Sequence, residues 1–151
     1  LSGFVAGGVV RGLLVGLLVT ILALFFTQLH ITNIWVLLAI VPMTTILFSL
    51  AGFTNALFAK TFDDISLVPT FVLTPLTYLG GVFYSIHLLP SFWQYLSLFN
   101  PILYIVNSFR YSILGVTDIP VLLALMIIFF SCVGLFFINL YLLNRGKGIR
   151  T

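Results

Sequence analysis

Charge is what this sequence has least of. Only 6% of its 151 residues are Asp, Glu, Lys or Arg: six cations, three aspartates (Asp63, Asp64, Asp118) and no glutamate. Soluble domains carry about 25% charged residues. A water-soluble fold built from 62% hydrophobic residues would leave large apolar patches in water. Disorder is excluded as well, because 16 Phe, 6 Tyr and 2 Trp are far too many aromatics for an unfolded chain. The cations are scattered beside apolar runs, so there is no nucleic-acid face. The single cysteine, Cys132, lies within an apolar run, which excludes a disulfide framework and a thiolate metal cluster.

Catalytic motifs are missing too. There is no HExxH, no GxSxG and no Cys–His arrangement, and the adjacent Asp63 and Asp64 would point to different helix faces. No GxxxxGK[ST] loop is present, so the chain cannot hydrolyse ATP itself. No acidic residue lies inside an apolar run, which argues against an ion-coupled transporter or channel.

What is present is apolar sequence of membrane length. A crossing needs about 20 residues. Four stretches qualify: about Phe4 or Gly8 to Phe26, Ile34 to Phe58, Ile65 to Tyr84 and Val121 to Leu143. Thr117, Asp118 and Pro120 make a helix start for the last. Between the third and fourth, Pro90 and Asn100–Pro101 break an aromatic-rich stretch into pieces too short to cross. We read residues 88–114 as two short helices entering and leaving on one side, with Trp93, Tyr95 and Tyr104 at headgroup level, in preference to a pair lying flat on the surface. The fold class expected is all-α integral membrane: four spans and a broken re-entrant pair. Arg11, Lys60, Arg145, Lys147 and Arg150 then share one side against Arg110 alone, placing both termini in the cytoplasm. Leu1 is not a start residue, and the first eight residues lack the features of a signal peptide, so a longer chain is expected.

Small and hydroxyl residues mark the spans. Gly8, Gly12 and Gly16, four apart, suit close helix packing, plausibly at an interface. Arg11 beside them can snorkel to headgroups or meet a cytosolic partner. Thr70, Thr74, Thr77 and Gly81 share one helix face, with Pro75 among them predicting a kink; Thr45, Ser49, Gly52 and Asn55 form a second stripe. These stripes could line a path or could join helices by hydrogen bonds. The link Ala59–Asp64 reads as a solvated turn in which Asp63 or Asp64 caps the next helix, or as a docking surface.

The run Thr74-Pro75-Leu76-Thr77-Tyr78-Leu79-Gly80-Gly81-Val82-Phe83-Tyr84, then Leu89-Pro90-Ser91-Phe92-Trp93, Phe99-Asn100-Pro101-Ile102-Leu103-Tyr104 and Phe109-Arg110-Tyr111, resembles the C-terminal signature of ABC-2 type transport permeases. Residues 58–66 and 144–148 look closer still to one bacterial inner-membrane member. The resemblance implies a six-helix subunit of the type V exporter kind that forms a homodimer in the inner membrane and works with a cytosolic ABC ATP-binding subunit. On it, the four spans are the third to sixth, and the first two helices and the main coupling helix precede Leu1. ATP and Mg would sit on the partner, with no cofactor on this chain. It implies Arg11, Lys60, Thr61, Phe62, Asp63 and Asp64 as ATPase-contact candidates. Pathway or gate candidates are Thr70, Thr74, Pro75, Thr77, Tyr78, Phe83, Tyr84, Phe99, Asn100, Pro101, Tyr104 and Arg110. The alternative is a structural or assembly subunit that moves no solute.

Overall fold

The structure, a computed structural model, describes residues 1–28 and 30–145, and of Phe62 the backbone alone. Lys147 and Arg150, which entered the charge count, lie outside the described residues. The described chain is helical throughout: α1 (Ser2–Phe26), α2 (Ile34–Phe58), α3 (Phe62–Leu67), a π-helical stretch (Val68–Leu73), α4 (Thr74–Leu79), a 3₁₀ turn (Ile86–Leu88), α5 (Ser91–Leu98), α6 (Pro101–Leu114) and α7 (Val121–Asn144). Three of these helices, α1, α2 and α7, are long and apolar enough to cross a membrane. No residue of α1 is buried by the rest of the chain, and apart from Arg11 and Thr20 its uncovered side chains from Phe4 to Phe26 are aliphatic or aromatic. Such a helix has no polar face to give to water. Hydrocarbon suits it.

The core forms where α2 meets α6 and α7. Ile40 and Leu47 of α2, Leu103, Tyr104 and Ile105 of α6, and Ala124 and Ile128 of α7 pack together, with Ile86 and Ile119 closing the cluster. At 14 residues α6 is about 21 Å long, too short to cross the roughly 30 Å hydrocarbon layer. It is nevertheless the most buried helix. It packs against both α2 and α7, and Ser108 and Ser112, one turn apart, are fully buried in it. The Asn100 side chain accepts from the Ile102 N–H at 3.0 Å to start the helix, and Gly115, with φ 73°, ends it in the left-handed conformation.

The last turn of α6 would leave carbonyls unpaired. The Thr32 and Asn33 amides both donate to Ser112 O at 2.9 Å, and the Thr32 hydroxyl donates to Ile113 O at 2.9 Å. The α1–α2 loop therefore sits on the C-terminus of α6 and defines one end of the bundle, the loop end. The link Ala59–Thr61 marks the other, the link end.

The stretch expected to span from Ile65 to Tyr84 differs in form. Helical backbone runs from Phe62 to Leu79 and stops five residues short, at Gly80–Gly81. Nor is it a single α-helix with one kink at Pro75. The two prolines each remove an amide, Pro69 from the second position of the π stretch and Pro75 from the second position of α4. The carbonyl that Pro69 leaves unpaired four residues back, Ile65 O, accepts instead from the Asn55 side-chain amide at 3.0 Å. One proline defect thus becomes a tie between α2 and α3.

Candidate functional site

Polar side chains are few enough here that their grouping is informative. The largest group lies near the loop end and joins three stretches of chain. Arg110 of α6 donates through Nη1 to Asp118 Oδ2 at 3.2 Å and through Nη2 to the backbone carbonyl of Gly81. The Ser85 hydroxyl donates to the same Asp118 oxygen at 2.9 Å. Asn107, one turn before Arg110, accepts from the Asp118 amide at 2.9 Å and donates to Leu103 O at 2.9 Å. The Arg110 and Asp118 side chains are 20% and 17% exposed. Both charges are only partly open to solvent, so removing one leaves the other without its partner. Asp118 is therefore not the helix start expected of it. Pro120 precedes α7, without a side-chain cap.

The other gate candidates lie around this knot. Asn100 is buried, and its amide donates to Leu76 O, tying the start of α6 to α4. Pro101 takes the first position of α6, where a missing amide is harmless. Tyr104 does not reach a headgroup surface: it is buried in the core, and its hydroxyl donates to Leu98 O at 2.7 Å. Tyr84 donates to Tyr78 O at 2.8 Å, and the rings of Tyr78 and Phe83 lie 5.6 Å apart. Phe83 and Phe99 are largely uncovered. Thr70 is uncovered, while Thr74 and Thr77 spend their hydroxyls on their own helix, at Pro69 O (3.4 Å) and Leu73 O (2.7 Å). Thr45 does likewise, at Pro42 O (2.9 Å). For these threonines the interhelical bonding considered as an alternative does not occur.

The glycine ladder splits. A Cβ on Gly8 would fall 1.8 Å from Ser49 Oγ, and one on Gly12 would fall 2.6 Å from Thr45 Cγ2, so both seat α1 on α2 of the same chain. Gly16 meets nothing within 4 Å. It borders an apolar cleft of about 560 Å³ between α1, α2 and α6, together with Thr20, Leu37, Thr44 and Phe109.

At the link end, Thr61 and Asp64 form a reciprocal cap. Thr61 Oγ1 accepts from the Asp64 amide at 3.2 Å, and Asp64 Oδ2 accepts from the Lys60 and Thr61 amides at 3.0 Å each. Those two backbone donors hold the Asp64 carboxyl below its ordinary value of 3.8. Asp64 is thus the capping residue of the pair, and Lys60 and Asp63 are left exposed. The Phe62 side chain lies outside the description. Arg11 lines a shallow groove with Gly8 and Ser49, apart from the link.

Sequence reasoning missed Asn139. It is fully buried in α7, where its amide donates to Leu50 O at 3.0 Å and its oxygen accepts from the Thr54 hydroxyl at 2.8 Å. A lone asparagine deep in an apolar run was the available signal. Among the described residues no three metal-ligating side chains come together. These polar contacts tie the helices and loops of an apolar bundle together.

Comparison with known proteins agrees with that character. The ABC-2 type transporter family matches residues 1–114. Two proteins called inner membrane transport permease YadH, from Escherichia coli (strain K12) and from Shigella flexneri, are each 53% identical over 152 aligned positions, covering 100% of this chain. The chain spans 59% of the length of these curated relatives. No solved structure matches it. An apolar chain, helical in its described part and matched along three quarters of its length by one membrane family, belongs to that family: the chain is a member of the ABC-2 type transporters.

Proposed function

We propose that this chain is the C-terminal portion of the membrane-spanning permease subunit of an ATP-binding cassette exporter. A separate cytosolic subunit hydrolyses ATP, and two permease copies move between inward- and outward-facing states. The observation that carries this reading is the 53% identity, along the whole chain, to inner membrane transport permeases. Four crossings follow if the stretch from Ile65 to Tyr84, helical as far as Leu79, also spans the bilayer. Its α–π–α backbone keeps most hydrogen bonds within the segment, as hydrocarbon requires. The α5–α6 pair, too short to cross, then enters and leaves on the loop side. Lys60 and Arg145 both fall at the link end, which places that end in the cytoplasm of the bacterial cell.

In this reading nucleotide acts only through its different affinity for the two states of the machine. The gate residues are those around α6: Tyr78, Phe83, Tyr84, Phe99, Asn100, Tyr104 and Arg110. Thr70, Thr74, Pro75 and Thr77 border the path beside them, and Pro101 starts the inner limb. The link Lys60–Asp64 faces the ATPase, Arg11 lies deeper, level with the middle of α2, and lipid surrounds the rest.

The test is to purify the full-length protein together with a cognate Walker-motif ATPase. Co-purification, and ATPase activity that responds to substitutions in the Lys60–Asp64 link, is the expected result. Indifference to nucleotide and to the link would favour a scaffold of a membrane complex that moves no solute.

A further inference from the structure

We propose that residues 82–99 form a strap that swings on Gly81 and Asn100, and that the Arg110–Asp118 pair is the latch that holds it shut. The strap contains the 3₁₀ turn and α5, and it touches the bundle at few points. Phe83, Leu88, Phe92, Tyr95 and Phe99 are largely uncovered. Its internal bonds are local: Gln94 reaches back to Leu89 O at 2.7 Å, and Ser97 to Trp93 O at 2.8 Å. Ile86 is the side chain it commits to the main core.

Tyr84 donates from the strap to Tyr78 O and Tyr104 donates to the strap's Leu98 O, but its only charged attachment among the described residues is one ion pair. Asp118 Oδ2 takes both Ser85 of the strap and Arg110 of α6, and the other arm of Arg110 holds the Gly81 carbonyl where the strap begins. Guanidinium suits this position because its planar fork reaches two acceptors at once. The pair is itself anchored, since Asn107 receives the Asp118 amide and Thr117. The two ends are its fixed points, Gly81 held by Arg110 and Asn100 by its own bonds to Leu76 O and the Ile102 amide. Gly81 has φ 71°, a conformation side chains avoid, and Asn100 is extended immediately before Pro101. Loss of either charge leaves the other partly buried and unpaired, and the strap is what can move to let water reach it.

This deepens the gate reading given above, but its test requires neither substrate nor ATPase, so the two can fail separately. The full-length protein is prepared with Cys132→Ser and a single reporter, Ile86→Cys, in membranes. Labelling by N-ethylmaleimide is timed with Arg110 and Asp118 intact and in Arg110→Gln, Asp118→Asn and the double variant. Either single change should speed labelling about tenfold, and the double no more than either alone, because both remove the same interaction. Arg110→Lys, which keeps the charge and loses the fork, should fall between. A second reporter, Ser108→Cys, on fully buried α6, should stay protected in every background. Unchanged labelling at position 86, multiplicative effects in the double variant, or equal opening at position 108 would each overturn the latch.

Discussion

Gly8→Ala and Gly16→Ala make the same chemical change on the same helix, yet the structure assigns them opposite signs. At Gly8 the new methyl would lie 1.8 Å from Ser49 Oγ and 2.9 Å from Ser49 Cβ. Rotating the serine hydroxyl away removes the first clash and leaves the second, so α1 and α2 must move apart. Overpacking of this kind costs about 1–3 kcal/mol. At Gly16 nothing lies within 4 Å, and alanine gains up to about 1 kcal/mol from helix propensity. Ser49→Gly removes both clashing atoms and should restore most of the loss in Gly8→Ala. Ser49 Oγ has no hydrogen-bond partner in the structure, so its removal breaks no bond. Unfolding of this chain in detergent by increasing SDS, followed by circular dichroism, measures all four proteins. Equal losses at positions 8 and 16, or no rescue by Ser49→Gly, would refute the packing of α1 on α2.

Three further outcomes follow from the polar ties. Asn139→Leu should destabilise by about 1–2 kcal/mol, and adding Thr54→Val should recover much of that, since both partners are then apolar; the same SDS titration reads it. Asn55→Leu should cost about 1–3 kcal/mol by leaving Ile65 O unpaired, and Pro69→Ala should offset it by restoring a backbone donor, measured again by unfolding. The Asp64 carboxyl should titrate below 3.8 by carbon-detected NMR. Its pKa is lowered by folding, so the cap's contribution is present above the unfolded value and is lost as pH falls through the folded one. Asp64→Asn should abolish that acid dependence.

The uninterrupted apolar runs were readable because length and composition alone decide them. The limits 34–58 for α2 are those expected, and those of α1 and α7 differ by a few residues at one end. The composite helix was harder. Its prolines signal a break, but only the fold shows that Pro69 enters a π stretch and Pro75 enters α4, with Asn55 supplying the bond that Pro69 leaves missing. The place of α6 was harder still. Its length marks it as too short to cross, and only the fold shows that Leu103, Tyr104 and Ile105 enter the main core. Arg110 was visible as a lone cation, whereas Asp118 looked like a cap because sequence gives no way to match it with Arg110 and Ser85 across a fold. Thr54 and Asn139 are 85 residues apart, beyond any local pattern.

The central claim is that this polypeptide is threaded through a bilayer with its link and its C-terminal end on the cytoplasmic side and the α5 region outside. Single cysteines at Lys60, Arg145 and Leu88, in full-length protein with Cys132→Ser, can be probed in intact cells with a membrane-impermeant maleimide. The account predicts labelling at position 88 from outside, and at 60 and 145 only after the cells are opened. Labelling of 60 and 145 from opposite faces would contradict it.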